Sequence, residues 1–229
     1  MKDTRWPAER REIHRQALSI ALAVSPFGVA FGVVCAEAGL SVWQALGFST
    51  LVFSGSAQFA AVSVLADGGA AVAAVTAGLL LNLRSLAFGV AMAGSLRGPV
   101  WWRALAAQLM IDESTAVGTV QATDALKRYG YLVGGLGVFV LWNLTTVLGV
   151  SVLSSSEELI TDLGIDATIP AAFLALLWPR LHDREQRLVA AAGALVAVLL
   201  VPVSPAGVPI IAAAAAVILA KPWRAPEGP

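Results

Sequence analysis

The sequence predicts an all-α, polytopic helical membrane protein with about eight hydrophobic segments, some of them broken or re-entrant. Of the 229 residues, 58% are hydrophobic and only 13% are charged, against about 25% charged residues in soluble domains. The mean hydropathy is +0.77. Several apolar runs approach or exceed the roughly 18 residues that identify a membrane-crossing helix. These runs predict contact with the lipid bilayer. Because the formal net charge is zero and no basic stripe is present, we expect no contact with nucleic acid.

The membrane domain is expected at residues 17–221, between a polar arm at 1–16 and a short tail at 222–229. An alternative to eight crossings has six, with the third and fourth segments entering the bundle without crossing it. In chain order, the hydrophobic segments lie at 17–36, 43–65, 69–96, 104–120, 131–153, 167–178, 188–203 and 207–220.

Basic residues predict which side of the membrane each connection faces, because they concentrate in cytoplasmic loops. The amino-terminal arm, Lys127–Arg128 and the stretch 180–187 are basic and fall on one side of an eight-segment count. The acidic loop 154–166 has no basic residue and falls on the other side. We therefore expect both termini in the cytoplasm. Arg97 and Arg103 are the exception, which the six-crossing alternative removes.

Helix breaks are expected at Pro26 and Gly28 in the first segment and at Pro170 in the sixth. Proline removes a backbone donor and clashes with the preceding turn, so a helix kinks or breaks there. The spacing of Gly28 and Gly32 allows another helix to approach closely. The sequence leaves open whether that helix belongs to the same chain or to a partner.

Arg84 is the only ionisable side chain between residues 70 and 96. A charge in the middle of a membrane segment is costly, and arginine cannot lose its proton because its pKa is above about 12. Arg84 therefore needs a carboxylate, and Asp112 and Glu113 are the strongest candidates; the competing interpretation places both carboxylates in water at the membrane surface. The third segment is either buried on all sides or unwinds near Asn82.

Five further polar residues, Ser54, Ser56, Gln58, Asn82 and Asn143, lie inside apolar segments. They either line a polar cavity or form hydrogen bonds between helices, each contributing about 0.6 kcal/mol on average. No His-Glu-x-x-His, Gly-x-Ser-x-Gly or phosphate-binding glycine motif is present, and there are only two histidines. We therefore expect no enzymatic activity, no cofactor and no bound metal.

Five stretches in order resemble the AzlC family, the large subunits of branched-chain amino acid exporters. They are Pro26–Gly32 (PFGVAFG), Phe53–Phe59 (FSGSAQF), Asn82–Arg84 (NLR), Asp112–Glu113, and Gly164–Asp166 running to Pro170–Phe173. Members often have histidine after the arginine, where this chain has Ser85.

The resemblance implies a secondary transporter that exports valine or other hydrophobic amino acids across the bacterial plasma membrane together with a small AzlD-type membrane subunit. A zwitterionic amino acid needs a cation or a helix amino terminus for its carboxylate, an acidic site for its ammonium and an apolar pocket for its side chain. The residues expected to bind substrate are Phe53, Ser54, Ser56, Gln58, Phe59, Asn82 and Arg84. Proton coupling is expected at Asp112, Glu113 or Asp166.

Two other classes of function remain as alternatives. One is a non-enzymatic channel or scaffold subunit of a membrane complex. The other is an ABC-type permease subunit, which would need a cytoplasmic ATPase and an extended coupling loop that the sequence does not show.

Overall fold

The regular structure found in the described part of the chain is helical, which confirms the all-α prediction. The structure is a computed structural model, and it describes residues 5–151, 174, 178 and 181–215. The helices are α1 Arg5–Glu37, α2 Val42–Leu51, α3 Gly55–Ala66, α4 Ala71–Asn82, α5 Arg84–Met92, α6 Val100–Gln108, α7 Asp112–Thr119, α8 Asp124–Ser151, α9 Arg184–Leu200 and α10 Val208–Ala214.

Three helical stretches among the described residues are long and apolar enough to cross a membrane. They are Pro7–Glu37 in α1, Ala71–Met92 across α4 and α5, and Asp124–Ser151, which is α8. Because α1 begins at Arg5, most of the polar arm is helical and continuous with the first segment. The total of about eight segments stays a prediction, and Asp166 and Pro170 lie outside the described residues.

Helices α1 and α8 form the central contact of the fold, and glycines bring their backbones together. A Cβ added to Gly28 would meet the side chain of Thr145, and one added to Gly32 would meet the backbone of Thr146. A Cβ on Gly149 would meet the backbone of α1. Small residues at both faces permit this close approach. The Gly28–Gly32 pair therefore packs within the chain, one of the two alternatives left open above.

The predicted break at Pro26 and Gly28 is wrong, because α1 continues through both residues as one helix. Proline at position 26 has no N–H to donate to the carbonyl of Leu22. The Ser25 hydroxyl donates to that carbonyl instead, over 2.8 Å. Serine side chains re-satisfy backbone groups freed by proline in membrane helices. The helix therefore keeps its hydrogen bonding through the proline.

Three other hydrophobic segments are interrupted. The segment at 43–65 consists of two helices, since α2 and α3 are separated by Val52–Ser54, where Ser54 adopts an extended backbone (φ −159°, ψ 103°). The segment at 104–120 is divided between α6 and α7, with an extended Ile111 before α7. At 69–96, α4 and α5 meet at Leu83.

The carbonyls at the first interruption are satisfied by two glutamine side chains. Gln58 Nε2 donates to the carbonyls of Ser49 (3.1 Å) and Val52 (2.8 Å). Gln108 Nε2 donates to those of Thr50 (2.7 Å) and Leu51 (3.2 Å). The last carbonyls of a helix have no partner within it, and a buried unpaired carbonyl costs free energy comparable to a lost hydrogen bond. These two amides therefore stabilise the non-helical joint.

The interruption at Leu83 is a tight turn rather than an unwound stretch. Leu83 keeps a right-handed helical backbone (φ −55°, ψ −28°), and hydrogen bonds of the shorter i to i−3 kind join Leu83 to Leu80 and Leu86 to Leu83. The outer face of α4 and α5 is exposed, as at Leu79 and Val90. Neither alternative predicted for this segment is therefore found in the described residues: the segment is not buried on all sides, and its backbone tightens at Leu83 instead of unwinding.

Candidate functional site

A small, partly open space, here called the central cavity, lies where the three interruptions meet. Residues that begin α3, α5 and α7 face it, and α1 and α8 complete its wall. Its lining residues are Val24, Phe27, Phe53, Gly55, Ser56, Phe59, Arg84, Ile111, Asp112, Glu113, Val138 and Trp142. Four of the predicted site stretches therefore contribute to one cavity.

Arg84 and Asp112 form an ion pair in this cavity, with Arg84 Nη1 2.5 Å from Asp112 Oδ2. Arg84 is the first residue of α5 and Asp112 the first residue of α7, so the pair joins two helix starts. An acidic side chain at the beginning of a helix also interacts favourably with the helix dipole. The two side chains are 30% and 28% exposed. The carboxylate partner predicted for Arg84 is thus present, while its functional role stays a prediction.

Glu113 lies next to this pair and lines the same cavity. Arg84 is the only cationic side chain among the described residues that line the cavity, whereas two carboxylates do so. Since Arg84 is paired with Asp112, the second carboxylate leaves the cavity with an excess of acidic groups. Such a site favours a cation, a proton or an ammonium group beside Glu113.

Ser56 brings an unsatisfied hydroxyl to the cavity. It lies in the first turn of α3, is 8% exposed and lines the cavity. Its Oγ has no hydrogen-bond partner among the described residues. Buried hydroxyls are nearly always hydrogen-bonded in native proteins. Ser56 is therefore the lining residue most in need of a partner.

The rest of the wall is apolar and aromatic. Phe59 and Trp142 meet edge to face, with ring centroids 6.4 Å apart. Phe53 packs edge to face on Phe139, with ring centroids 5.0 Å apart. Val24 and Phe27 on α1 close the same wall. The cavity therefore combines a charged and polar end with an apolar surface, as expected for a small ligand that carries both kinds of group.

Gln58 does not line the central cavity but forms a hydrogen bond with Trp142, which does. It is fully buried, its amide N–H groups bind the α2 carbonyls described above, and its Oε1 accepts a hydrogen bond from Trp142 Nε1 over 2.9 Å. Both hydrogens of this amide are therefore used within the protein. The predicted direct contact of Gln58 with substrate has no support in this arrangement.

Ser54 and Asn82 also lie outside the central cavity, in a second space here called the outer cleft. Asn82 Oδ1 accepts a hydrogen bond from Ser85 over 2.8 Å, and Ser85 lines this cleft too. Phe53 lines both spaces. The two differ in volume, about 50 Å³ for the central cavity and about 400 Å³ for the outer cleft. Phe53 therefore lies between a small site and a roomier one.

Sequence reasoning missed several lining residues. Phe27 and Gly55 belong to the stretches that carry the family resemblance but were not assigned a role, and Trp142 was not singled out. A tryptophan in the middle of a span, away from the membrane surface where tryptophans concentrate, is a signal that could have identified it. Nothing in the sequence singles out Val24, Ile111 or Val138. Among the described residues, no three His, Cys, Asp or Glu side chains cluster as metal ligands would.

Apolar helices of membrane-crossing length, interrupted helices that meet at a small cavity and an ion pair between two helix starts define a polytopic helical membrane protein with an internal polar site. A family model described as AzlC protein matches residues 19–155. The chain belongs to the AzlC family, and the resemblance inferred from its motifs is confirmed.

Relatives of this chain are membrane proteins by name. An "Uncharacterized membrane protein" of Archaeoglobus fulgidus is 31% identical over 209 residues, which cover 89% of this chain and 90% of the relative. "Inner membrane protein YgaZ" of Escherichia coli strain K12 is 26% identical over 201 residues, covering 81% and 80%. A Helicobacter pylori (strain J99) "Uncharacterized membrane protein" is 27% identical over 100 residues, or 44% of each chain. No solved structure matches.

Proposed function

We propose that this protein is a secondary transporter that exports branched-chain or other hydrophobic amino acids across a bacterial plasma membrane. The observation that carries the proposal is the central cavity, where Arg84, Glu113 and an aromatic wall line one space. A zwitterionic, apolar amino acid presents a carboxylate, an ammonium and a hydrocarbon side chain. Such a molecule matches a site whose described lining has one cation, a second carboxylate and mostly apolar walls.

The interrupted helices support transport rather than a static scaffold. In secondary transporters, substrates commonly bind at discontinuous helices near the middle of the membrane, where half-helix ends point at charged groups. Here the starts of α3, α5 and α7 all line the cavity. Non-helical backbone at membrane depth is tolerated where it lines a cavity or is buried in protein.

The size of the cavity supports an alternating mechanism. Its volume of about 50 Å³ is well below the roughly 300 Å³ at the lower end of ordinary ligand pockets, so substrate entry requires the walls to move. Phe53 lines both this cavity and the outer cleft, and it sits at the non-helical joint between α2 and α3. A shift of Phe53 would join the two spaces.

Glu113 is the residue we assign to proton coupling. Of the three acidic residues expected to carry protons, Asp112 is paired with Arg84 and Asp166 lies outside the described residues. Glu113 faces the cavity without an ion pair among the described residues. A carboxyl group that gains and loses a proton in a low-dielectric site is the usual element of proton-driven transporters.

Family membership supports a proposal for the location of this protein. The relative YgaZ is named an inner membrane protein, which supports a bacterial plasma membrane, and the distribution of basic residues supports cytoplasmic termini. We further propose a small AzlD-type membrane subunit as the partner required for export.

Counterflow tests the proposal directly. Purified protein, with and without the small subunit, is reconstituted into proteoliposomes loaded with unlabelled valine, and uptake of labelled valine is measured without ATP. Transient accumulation above equilibrium is the expected result, because a carrier exchanges substrate across the membrane. Equilibration without overshoot would indicate a channel, a strict need for ATP would indicate a permease subunit, and no uptake in either reconstitution would indicate a scaffold.

A further inference from the structure

We propose that the carboxylate of the amino acid binds at the start of α3, on the Ser56 hydroxyl and the neighbouring backbone amides, and that Arg84 supplies only the surrounding positive charge. This inference rests on the proposed function in one respect, the choice of an amino acid as ligand. The sequence pointed to Arg84 as the direct anchor of the carboxylate, and the geometry of the central cavity points elsewhere.

Ser56 supplies the first observation. Its side chain is more than nine-tenths buried, its Oγ has no partner among the described residues, and it lines the cavity. A hydroxyl in this condition destabilises the protein unless a ligand or a water completes it. A serine hydroxyl can donate one hydrogen bond and accept others, so a carboxylate oxygen in the cavity would satisfy the donor of Ser56.

The start of α3 supplies the second observation. The helix has 12 residues, and Ser54 at its N-cap makes no side-chain capping hydrogen bond. Gly55 and Ser56 both line the cavity, and no acceptor for their N–H groups is found in the described ranges. The first N–H groups of a helix have no partner within it and carry partial positive charge, which makes them a ready site for an anion.

Gly55 explains how the ligand reaches these amides. A Cβ at this position would lie 3.1 Å from the ring of Trp142, so a side chain there would fill the gap between the start of α3 and the cavity wall. Glycine keeps the backbone open to an approaching carboxylate, which is a common reason for glycine beside a ligand.

Arg84 is less suited to direct contact because Asp112 already occupies one edge of its guanidinium. Its charge still stabilises an anion nearby through the low-dielectric cavity. With the carboxylate on Ser56, the ammonium can bind Glu113, which among the described lining residues is the carboxylate that Arg84 does not pair with. Phe59 lies three residues after Ser56 on α3, on the same helix face, and offers an apolar surface to the side chain.

Paired ligands that differ only in the carboxylate test this assignment. The probes are valine with valinamide, and 3-methylbutanoate with its amide, and their affinities are measured from the shift each causes in the unfolding temperature of purified full-length protein. In the wild-type protein, each carboxylate should bind more tightly than its amide. In Ser56→Ala this preference should shrink about tenfold or more, the size of a lost hydrogen bond to a charged group.

The matched control is Ser49→Ala. Ser49 is also fully buried with an unpartnered hydroxyl, but it lies on α2 and does not line the cavity. Without ligand, both variants should unfold at or above the wild-type temperature, since each loses an unsatisfied buried group. Only Ser56→Ala should lose the preference for carboxylates. Ser56→Cys, which keeps the size of the side chain and has a weaker donor, should fall between wild type and Ser56→Ala.

The outcomes separate this inference from the proposed function. An unchanged carboxylate preference in Ser56→Ala, or no such preference in the wild-type protein, overturns the inference even if valine counterflow succeeds. Loss of the preference in Ser56→Ala but not in Ser49→Ala supports it even if counterflow fails, in which case the transport proposal falls and the carboxylate site remains.

Discussion

Trp142 on α8 donates its indole N–H to the side-chain oxygen of Gln58 on α3, over 2.9 Å. The same Gln58 amide donates to the carbonyls of Ser49 and Val52 at the end of α2. The buried Gln58 side chain therefore links Trp142 on α8 to the non-helical joint between α2 and α3, and it fixes the indole that lines the central cavity.

Gln58→Leu should lower the free energy of unfolding by about 3 kcal/mol, since three hydrogen bonds of about 1 kcal/mol each are lost. The measurement is thermal unfolding of the purified protein in detergent, followed by near-ultraviolet circular dichroism. Gln121→Leu is the control, because Gln121 makes a single local hydrogen bond to Val117 and should cost about 1 kcal/mol or less. Equal losses for the two variants would contradict the bridging role of Gln58.

The Arg84–Asp112 ion pair predicts a coupled effect on folding. Arg84→Ala leaves the Asp112 carboxylate uncompensated and should cost about 1–3 kcal/mol, less than a fully buried pair because both side chains keep partial exposure. Adding Asp112→Ala should recover most of that loss. The free energy of unfolding of the purified protein in detergent, measured for both single variants and the double variant, gives the coupling energy. Strictly additive losses would show that Arg84 depends on another partner.

Close packing of α1 on α8 predicts a steric effect at Gly32. Gly32→Ala places a methyl group against the backbone of Thr146 and Val150, so the helices must separate at a cost of about 1–3 kcal/mol. Gly47→Ala is the matched control: a Cβ there meets nothing within 4 Å, and in the interior of α2 alanine should stabilise by about 0.5–1 kcal/mol. Unfolding temperatures of the two variants should move in opposite directions, and a shift in the same direction would argue against tight packing at Gly32.

Proton coupling through Glu113 predicts that replacing this residue changes net export of valine but not the exchange of valine for valine. Glu113→Gln cannot exchange a proton, so net export of valine should stop responding to an imposed pH gradient, whereas valine–valine exchange, which needs no net proton movement, should persist. Glu37→Gln at the end of α1 is the control and should leave both modes intact. A Glu113→Gln protein whose export still follows the pH gradient would move proton coupling to another residue.

Hydropathy alone predicted the three described helical stretches that are long and apolar enough to cross a membrane, because the length of an apolar run is set by the thickness of the bilayer. The partner of Arg84 was predictable too, since a charge that cannot be neutralised requires a nearby carboxylate. The joint between α2 and α3 was not predictable. Gln108, which satisfies two of its carbonyls, lies more than 50 residues away in the chain, so no local pattern indicates that the backbone can leave the helix at Phe53.

Pro26 in α1 is the converse case, in which the sequence predicts a break that the helix does not have. A rule based on proline alone predicts a break, and the neighbouring Ser25 hydroxyl removes the reason for one.

The site was likewise predictable only in part: Ser56, Phe53 and Phe59 reach the cavity, whereas Gln58 and Asn82 are committed to hydrogen bonds elsewhere. Polarity inside an apolar segment identifies residues that need partners, but packing decides whether those partners are protein or ligand.

The glycine contacts between α1 and α8 have a mechanical consequence. Gly32 and Gly149 let the backbones of α1 and α8 touch, so no long side chain that could change rotamer lies between them there. We therefore expect α1 and α8 to move as one rigid unit. The three helix interruptions all fall in other parts of the chain, at Val52–Ser54, Leu83 and Leu109–Ile111. We therefore expect the cavity to open through small rotations of the short helices about these joints, while α1 and α8 stay fixed relative to each other.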